Sequence, residues 1–232
     1  MNHHETLHQI AVNGMTLCYA VAGAGKPVVL IHGNGEDHHL FDTEIGQLVE
    51  AGYQVYALDS RGHGANPPLS EYHYRDMAED VYQFIRVLGL ERTALYGHSD
   101  GGIIALLLEL FHPETLSLMA ISGTNLSPAG LQPDFLAQYS RENELHPHPL
   151  VTLMLTEPDI PPAALEAITI PVLVTAGEFD LILPEETQSI ARHLPHSQLV
   201  ILPGADHGSY LAGSPVMGNL LLAFLKEQGY GP

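Results

Sequence analysis

Six short apolar runs, each followed by a polar cluster, limit most strongly how this chain can fold. They are P-V-V-L-I-H (27–32), Y-Q-V-Y-A-L (53–58), T-A-L-Y (93–96), L-S-L-M-A-I (116–121), P-V-L-V-T-A (171–176) and Q-L-V-I-L (198–202). Continuous apolar runs of this length, without polar alternation, suit strands buried on both faces. Helical spacing lies between them, over 40–50, 74–88, 101–111, 185–193 and 216–227. The second of these stops at Gly89, a C-cap signal. The third, G-G-I-I-A-L-L-L-E-L-F, is apolar nearly all round and should be a buried helix. Strands alternating with helices imply an α/β fold, a mostly parallel sheet with helices on both faces. Two earlier runs, Leu7–Val12 and Met15–Val21, meet at Asn13-Gly14. That pair between alternating apolar runs predicts a β-hairpin, and so an antiparallel edge.

At 232 residues the chain fits one such domain, residues 1–232. Only residues 124–169 break the rhythm, with S-P-A-G, H-P-H-P and E-P-D-I-P-P. Pro133 can start a helix over D-F-L-A-Q-Y-S-R-E-N-E-L. A long irregular excursion in a compact domain is usually functional. We expect a small cap insertion over the strand ends, with Phe135, Tyr139, Leu153 and Met154 lining a pocket.

Charge excludes some partners. With 27 acids against 8 bases the formal net charge is −19, which disfavours nucleic acid and anionic membrane surfaces. No apolar run is long enough to span a bilayer, and M-N-H-H-E-T-L-H-Q-I lacks the apolar core of a signal peptide. The expectation is a cytoplasmic protein. The single cysteine, Cys18, allows no intrachain disulfide and reads as a small buried hydrophobe.

Ligands of open parallel sheets bind beyond the carboxyl ends of the strands. The clusters found there are H-G-N-G-E-D, D-S-R-G-H-G, G-H-S-D-G-G, S-G-T-N, G-E-F-D and P-G-A-D-H-G, in chain order. G-x-S-x-G between a buried strand and a buried helix reads as a nucleophile elbow, a serine on a turn so sharp that glycines must flank it. An acid after a later strand and a histidine after a later one still complete the order Ser, Asp, His. Ser99, Asp180 and His207 meet both the order and the placement. Glu178 and Asp206 are the rival acids. Glu178 lies closer to its strand and suits support of a neighbouring loop, whereas Asp206 directly precedes His207, so its side chain should diverge from the imidazole.

On H-G-N-G (32–35), D-S-R-G-H-G (59–64), G-H-S-D-G-G (97–102), G-E-F-D (177–180) and A-D-H-G (205–208), the sequence resembles the α/β-hydrolase fold family over essentially its whole length. The G-x-S-D-G-G variant further resembles the valacyclovir hydrolase-like esterases. The resemblance implies a serine hydrolase of carboxylesterase type, acting on a small acyl substrate without cofactor or metal. Ser99 would be the nucleophile, His207 the general base and acid, and Asp180 its orienting partner. The backbone N–H groups of Asn34 and Asp100 would form the oxyanion hole. The same fold and residues also fit a small-ligand binding protein, or an enzyme cleaving C–C bonds or forming peracids.

His32 and His98 are expected to shape the oxyanion loop and elbow, and Asp59, Arg61 and His63 to brace their own loop. His38-His39 and His146-Pro147-His148 read as exposed loop histidines, and N-H-H-E (2–5) is too isolated for a metal site. Asp100 raises a question, because a carboxylate next to the nucleophile opposes a developing oxyanion. Its side chain must turn away, either to anchor a neighbouring loop or to read a cationic group on the substrate.

Overall fold

The computed structural model describes residues 6–232; N-H-H-E lies outside the described residues. Eight strands form one sheet: β1 (Thr6–Val12), β2 (Met15–Gly23), β3 (Pro27–Ile31), β4 (Gln54–Leu58), β5 (Thr93–His98), β6 (Leu116–Ser122), β7 (Val172–Gly177) and β8 (Ser197–Leu202). Their order is β1-β2-β4-β3-β5-β6-β7-β8. β1 and β2 pair antiparallel, as do β2 and β4, and every later pairing is parallel. Asn13 and Gly14 have φ of 47° and 75°, the doubly left-handed turn expected of Asn-Gly.

The apolar runs are buried on both faces because successive side chains point to opposite sides. Val29, Ile31, Leu95, Val172 and Val174 join a core with α2 (Tyr74–Val87), α3 (Asp100–Phe111) and part of α6 (Pro184–His193). Val28, Leu30, Tyr96 and Leu173 join a second core with α1 (Asp42–Glu50) and α7 (Val216–Glu227). The two edge strands expose apolar residues, Leu7 on β1 and Leu199 and Ile201 on β8.

The cap region carries α4 (Pro133–Leu145), starting at the expected proline, and α5 (Pro149–Thr156), which the sequence pattern did not single out. It is fastened at both ends. Ile160 N–H donates to Leu126 O, and the Glu157 carboxylate accepts from the Tyr74 N–H and pairs with His73 at the start of α2. Among the described residues, no helix is long and apolar enough to cross a membrane.

Candidate active site

β5 runs straight into α3, with Ser99 at the junction at φ 53°, ψ −115°. Two glycines make that turn possible. A Cβ on Gly97 would strike the Gly101 carbonyl, and one on Gly101 would strike the Ile31 carbonyl. The Ser99 hydroxyl lies 3.0 Å from His207 Nε2, and His207 Nδ1 lies 2.7 Å from Asp180 Oδ1. The network assigns the tautomer: Nδ1–H donates to Asp180, leaving Nε2 free to accept from Ser99. Asp180 is itself buried and held by the Gly177 and Ile182 N–H groups at 3.1 and 3.0 Å. Loops after three different strands thus bring the three residues together.

The rival acids are engaged elsewhere. Glu178 accepts from the Gly204 N–H at 2.8 Å, and Asp206 accepts from the Gly208 and Ser209 N–H groups of its own turn. Asn34 and Asp100 face the same cavity as Ser99. Among the described residues neither backbone N–H has a protein acceptor. The Asp100 N–H heads α3, where the helix dipole favours negative charge.

The Asp100 carboxylate is fully occupied. Oδ1 accepts from the Tyr74 hydroxyl at 2.8 Å and Oδ2 from Asn34 Nδ2 at 3.0 Å. Asn34 Nδ2 also reaches the Leu150 carbonyl of α5 at 3.1 Å. One buried carboxylate therefore ties together the elbow, the loop after β3 and α2, and Asn34 extends the tie to the cap. Burial pushes the Asp100 carboxyl up to about 6, against the pull of its two donors and of His207.

The flanking histidines are neutral wedges. His32 Nδ1–H donates to Gly33 O, and its Nε2 accepts from Ser60 N–H, joining the loops after β3 and β4. Burial above all, with His63 beside it, lowers its pKa to about 4. His98 hydrogen-bonds Ser122 and lies against the His207 ring at 4.8 Å. Complete burial, reinforced by His207 and His32, holds it far below the usual histidine range. After β4, Asp59 accepts from the His38 and Ala65 N–H groups, and Arg61 pairs with Asp80 at 2.6 Å. His63 Nδ1–H turns back to the Arg61 carbonyl at 3.0 Å.

Two expectations are corrected, for His38 and for Leu153. His38 is not an exposed loop histidine: it is buried, with Nδ1 2.7 Å from Asp59 Oδ1. The short 3-10 turn at His38–Phe41 carries it inward beside Phe41. His39, His146 and His148 are exposed, and the described residues contain no metal-ligating cluster of three or more His, Cys, Asp or Glu.

The cavity beside Ser99 measures about 190 Å³. Phe135, Tyr139 and Met154 line it, with Leu131, Val151 and Leu181. Leu153 does not: it points into the core and is 2% exposed. Glu36 lines the cavity too, and nothing in the sequence had marked it. Its Oε2 accepts from the Gly33 N–H at 2.9 Å, a side chain reaching back three residues as in a helix capping box. That spacing, Gly followed three residues later by Glu at a strand end, is the signal that could have found it.

A model of the alpha/beta hydrolase fold matches residues 26–145, just over half of the chain. The chain belongs to the α/β hydrolase fold family. Its part-buried serine–histidine–aspartate network is of the serine-hydrolase type, and a model described as TAP-like protein matches residues 154–230 of this α/β-hydrolase-fold chain. It is 32% identical over 119 residues to bifunctional epoxide hydrolase 2 of Sus scrofa, covering 50% of this chain but only 21% of that longer protein. It is 26% identical to the serine hydrolase BPHL of Homo sapiens over 95% of this chain and 87% of that protein. The esterase of Exiguobacterium antarcticum has the same fold, with a TM-score of 0.83, 23% identity, and coverage of 96% and 100% of the two chains.

Proposed function

We propose that this protein is a serine hydrolase cleaving a small ester, thioester, lactone or amide through an acyl-enzyme on Ser99. The observation that carries the reading is the chain of contacts from Ser99 to His207 to Asp180, at 3.0 and 2.7 Å, opening on a cavity with both polar and apolar walls. Ser99 Oγ attacks the acyl carbon as its proton passes to His207 Nε2. Asp180 keeps Nδ1–H in place and stabilises the imidazolium. The carbonyl oxygen gathers negative charge and takes hydrogen bonds from the Asn34 and Asp100 N–H groups. His207 then protonates the leaving group as the acyl–heteroatom bond breaks. Water repeats the sequence in reverse, His207 taking its proton and Ser99 leaving with one. No cofactor enters this scheme. A cytoplasmic setting accords with a lone, buried Cys18.

A fluorophosphonate probe tests the reading directly. It should label Ser99 in the folded protein, and Ser99→Ala should lower turnover of p-nitrophenyl acyl esters by about a thousandfold or more. Folded protein that leaves Ser99 unlabelled and releases no nitrophenol would instead be a ligand-binding member of the fold.

A further inference from the structure

Hydrolysis through an acyl-enzyme has two chemical steps, and the residues of the scheme above serve both. Ser99 and then water attack the same carbon, His207 handles the proton each time, and charge gathers on the same oxygen. Only the attacking group differs. A side chain that touches the water would therefore act on the second step alone.

Glu36 is placed for that task. It is half-buried and lines the cavity beside Ser99. Its Oε2 accepts from the Gly33 N–H at 2.9 Å, and among the described residues its Oε1 has no partner. A Cβ built on Gly33 would be 2.7 Å from Glu36 Oε2, 3.0 Å from Ser99 Cβ and 3.4 Å from the His98 ring, so carboxylate and serine flank a gap about one methyl group wide. Of the titratable groups that act on Glu36, His207 acts most, ahead of Asp100 and Asp37. Asp100, the other carboxyl of the cavity, has both oxygens taken by Tyr74 and Asn34. Burial raises the Glu36 carboxyl, as expected of a carboxylate short of donors. Such an oxygen is satisfied by an O–H, which Leu131, Phe135, Val151, Met154 and Leu181 around the cavity do not offer and water does.

We propose that Glu36 orients the water that hydrolyses the acyl-enzyme, and is a further catalytic residue of this site. The proposal rests on the serine-hydrolase reading above. The water donates one O–H to His207 Nε2 and the other to Glu36 Oε1, which aims its lone pair at the acyl carbon. His207 takes the first proton as the new C–O bond forms, and passes it to Ser99 Oγ as the Ser99–acyl bond breaks. The second proton stays on the product acid. Glu36 neither gains nor loses a proton. Two hydrogen bonds fix an orientation that one would leave free to rotate.

Support of the loop after β3 is the alternative role for Glu36, and the two steps separate the roles. Loss of loop support alone would slow both steps alike, because in the scheme above both use the Asn34 N–H. Loss of water orientation slows only deacylation. Stopped-flow release of nitrophenol from p-nitrophenyl acetate reads both rates, acylation from the burst and deacylation from the steady phase. Intact mass after acid quenching gives the acyl-enzyme fraction. Glu36→Gln keeps an oxygen for the Gly33 N–H but offers an N–H donor where the water needs an acceptor. Its ratio of deacylation to acylation rate should fall about tenfold, the size of one hydrogen bond to a charged group, and acyl-enzyme should accumulate. Glu36→Ala removes both contacts. It should slow both steps and lower the ratio as far, and it carries the test if the glutamine variant fails to fold. An unchanged ratio in a folded variant would overturn the proposal, as would a loss confined to acylation. If the parent protein released no nitrophenol and left Ser99 unlabelled by a fluorophosphonate, the hydrolase reading itself would fall.

Discussion

Ser99 holds a backbone conformation that L-residues avoid, φ 53° and ψ −115°. Such strain costs about 1–3 kcal/mol and persists only where the surroundings impose it. Ser99→Ala keeps the Cβ and so keeps the strain. Ser99→Gly releases it, at a cost of roughly 0.5–1 kcal/mol from the freer unfolded chain. The glycine variant should therefore be the more stable of the two by about 1 kcal/mol, measured by urea unfolding, and equal midpoints would mean that the turn is unstrained. This elbow was legible because its demands are local: two glycines beside a serine, a buried strand before it and a buried helix after it. Asp100 was legible only in part. Adjacency to Ser99 implied that its carboxylate turns away, but not that Tyr74, 26 residues earlier, would receive it. Glu36 escaped notice because its carboxylate serves its own loop through a short reach-back contact, and acids near glycines are common in loops.

The strands were easy to read and the cap was not, for a physical reason. A strand buried on both faces must be apolar throughout, and its neighbours in the sheet are set by the same requirement. The cap helices pack on one side at most. α4 buries no residue at all, and only the proline at its start betrays it. α5 is short, apolar and sits between prolines, so H-P-H-P and E-P-D-I-P-P read as irregular chain. Within α5 two adjacent residues do different work. Leu153 belongs to the core and fixes the helix, while Met154 faces the cavity. Leu153→Ala should cost about 2–4 kcal/mol in unfolding free energy. Met154→Ala should cost distinctly less, and should shift the preferred acyl-chain length in a series of p-nitrophenyl esters. If Met154→Ala left the chain-length profile of an active enzyme untouched, the cap helix would not form the acyl wall.

For the molecule as a whole, stability against pH is set by buried groups pulling in opposite directions. His32, His63 and His98 are buried with pKa values lowered chiefly by desolvation, His32 to about 4. The unfolded chain takes up their protons first as pH falls below about 6.5, so their contribution is present near neutrality and lost on acidification. Glu44 on α1 works the other way. It is fully buried, among the described residues its carboxyl oxygens have no partner beyond its own backbone N–H, and desolvation, outweighing that contact, lifts it from 4.5 to about 7. The folded protein then holds a proton that the unfolded chain releases, so this contribution is present below pH 4.5 and lost as pH rises through 7. Glu44→Gln isolates it. The substitution changes one charge of a net −19, leaving the wider field nearly intact, and it leaves the histidines unchanged. At pH 5 the two proteins should be of similar stability. At pH 8 Glu44→Gln should be the more stable by about 2–3 kcal/mol, the free energy of deprotonating a buried carboxyl. Urea unfolding of both proteins at the two pH values gives the difference directly. Parallel pH curves would mean that Glu44 reaches water or a donor on ionising, and that the core face of α1 tolerates a charge.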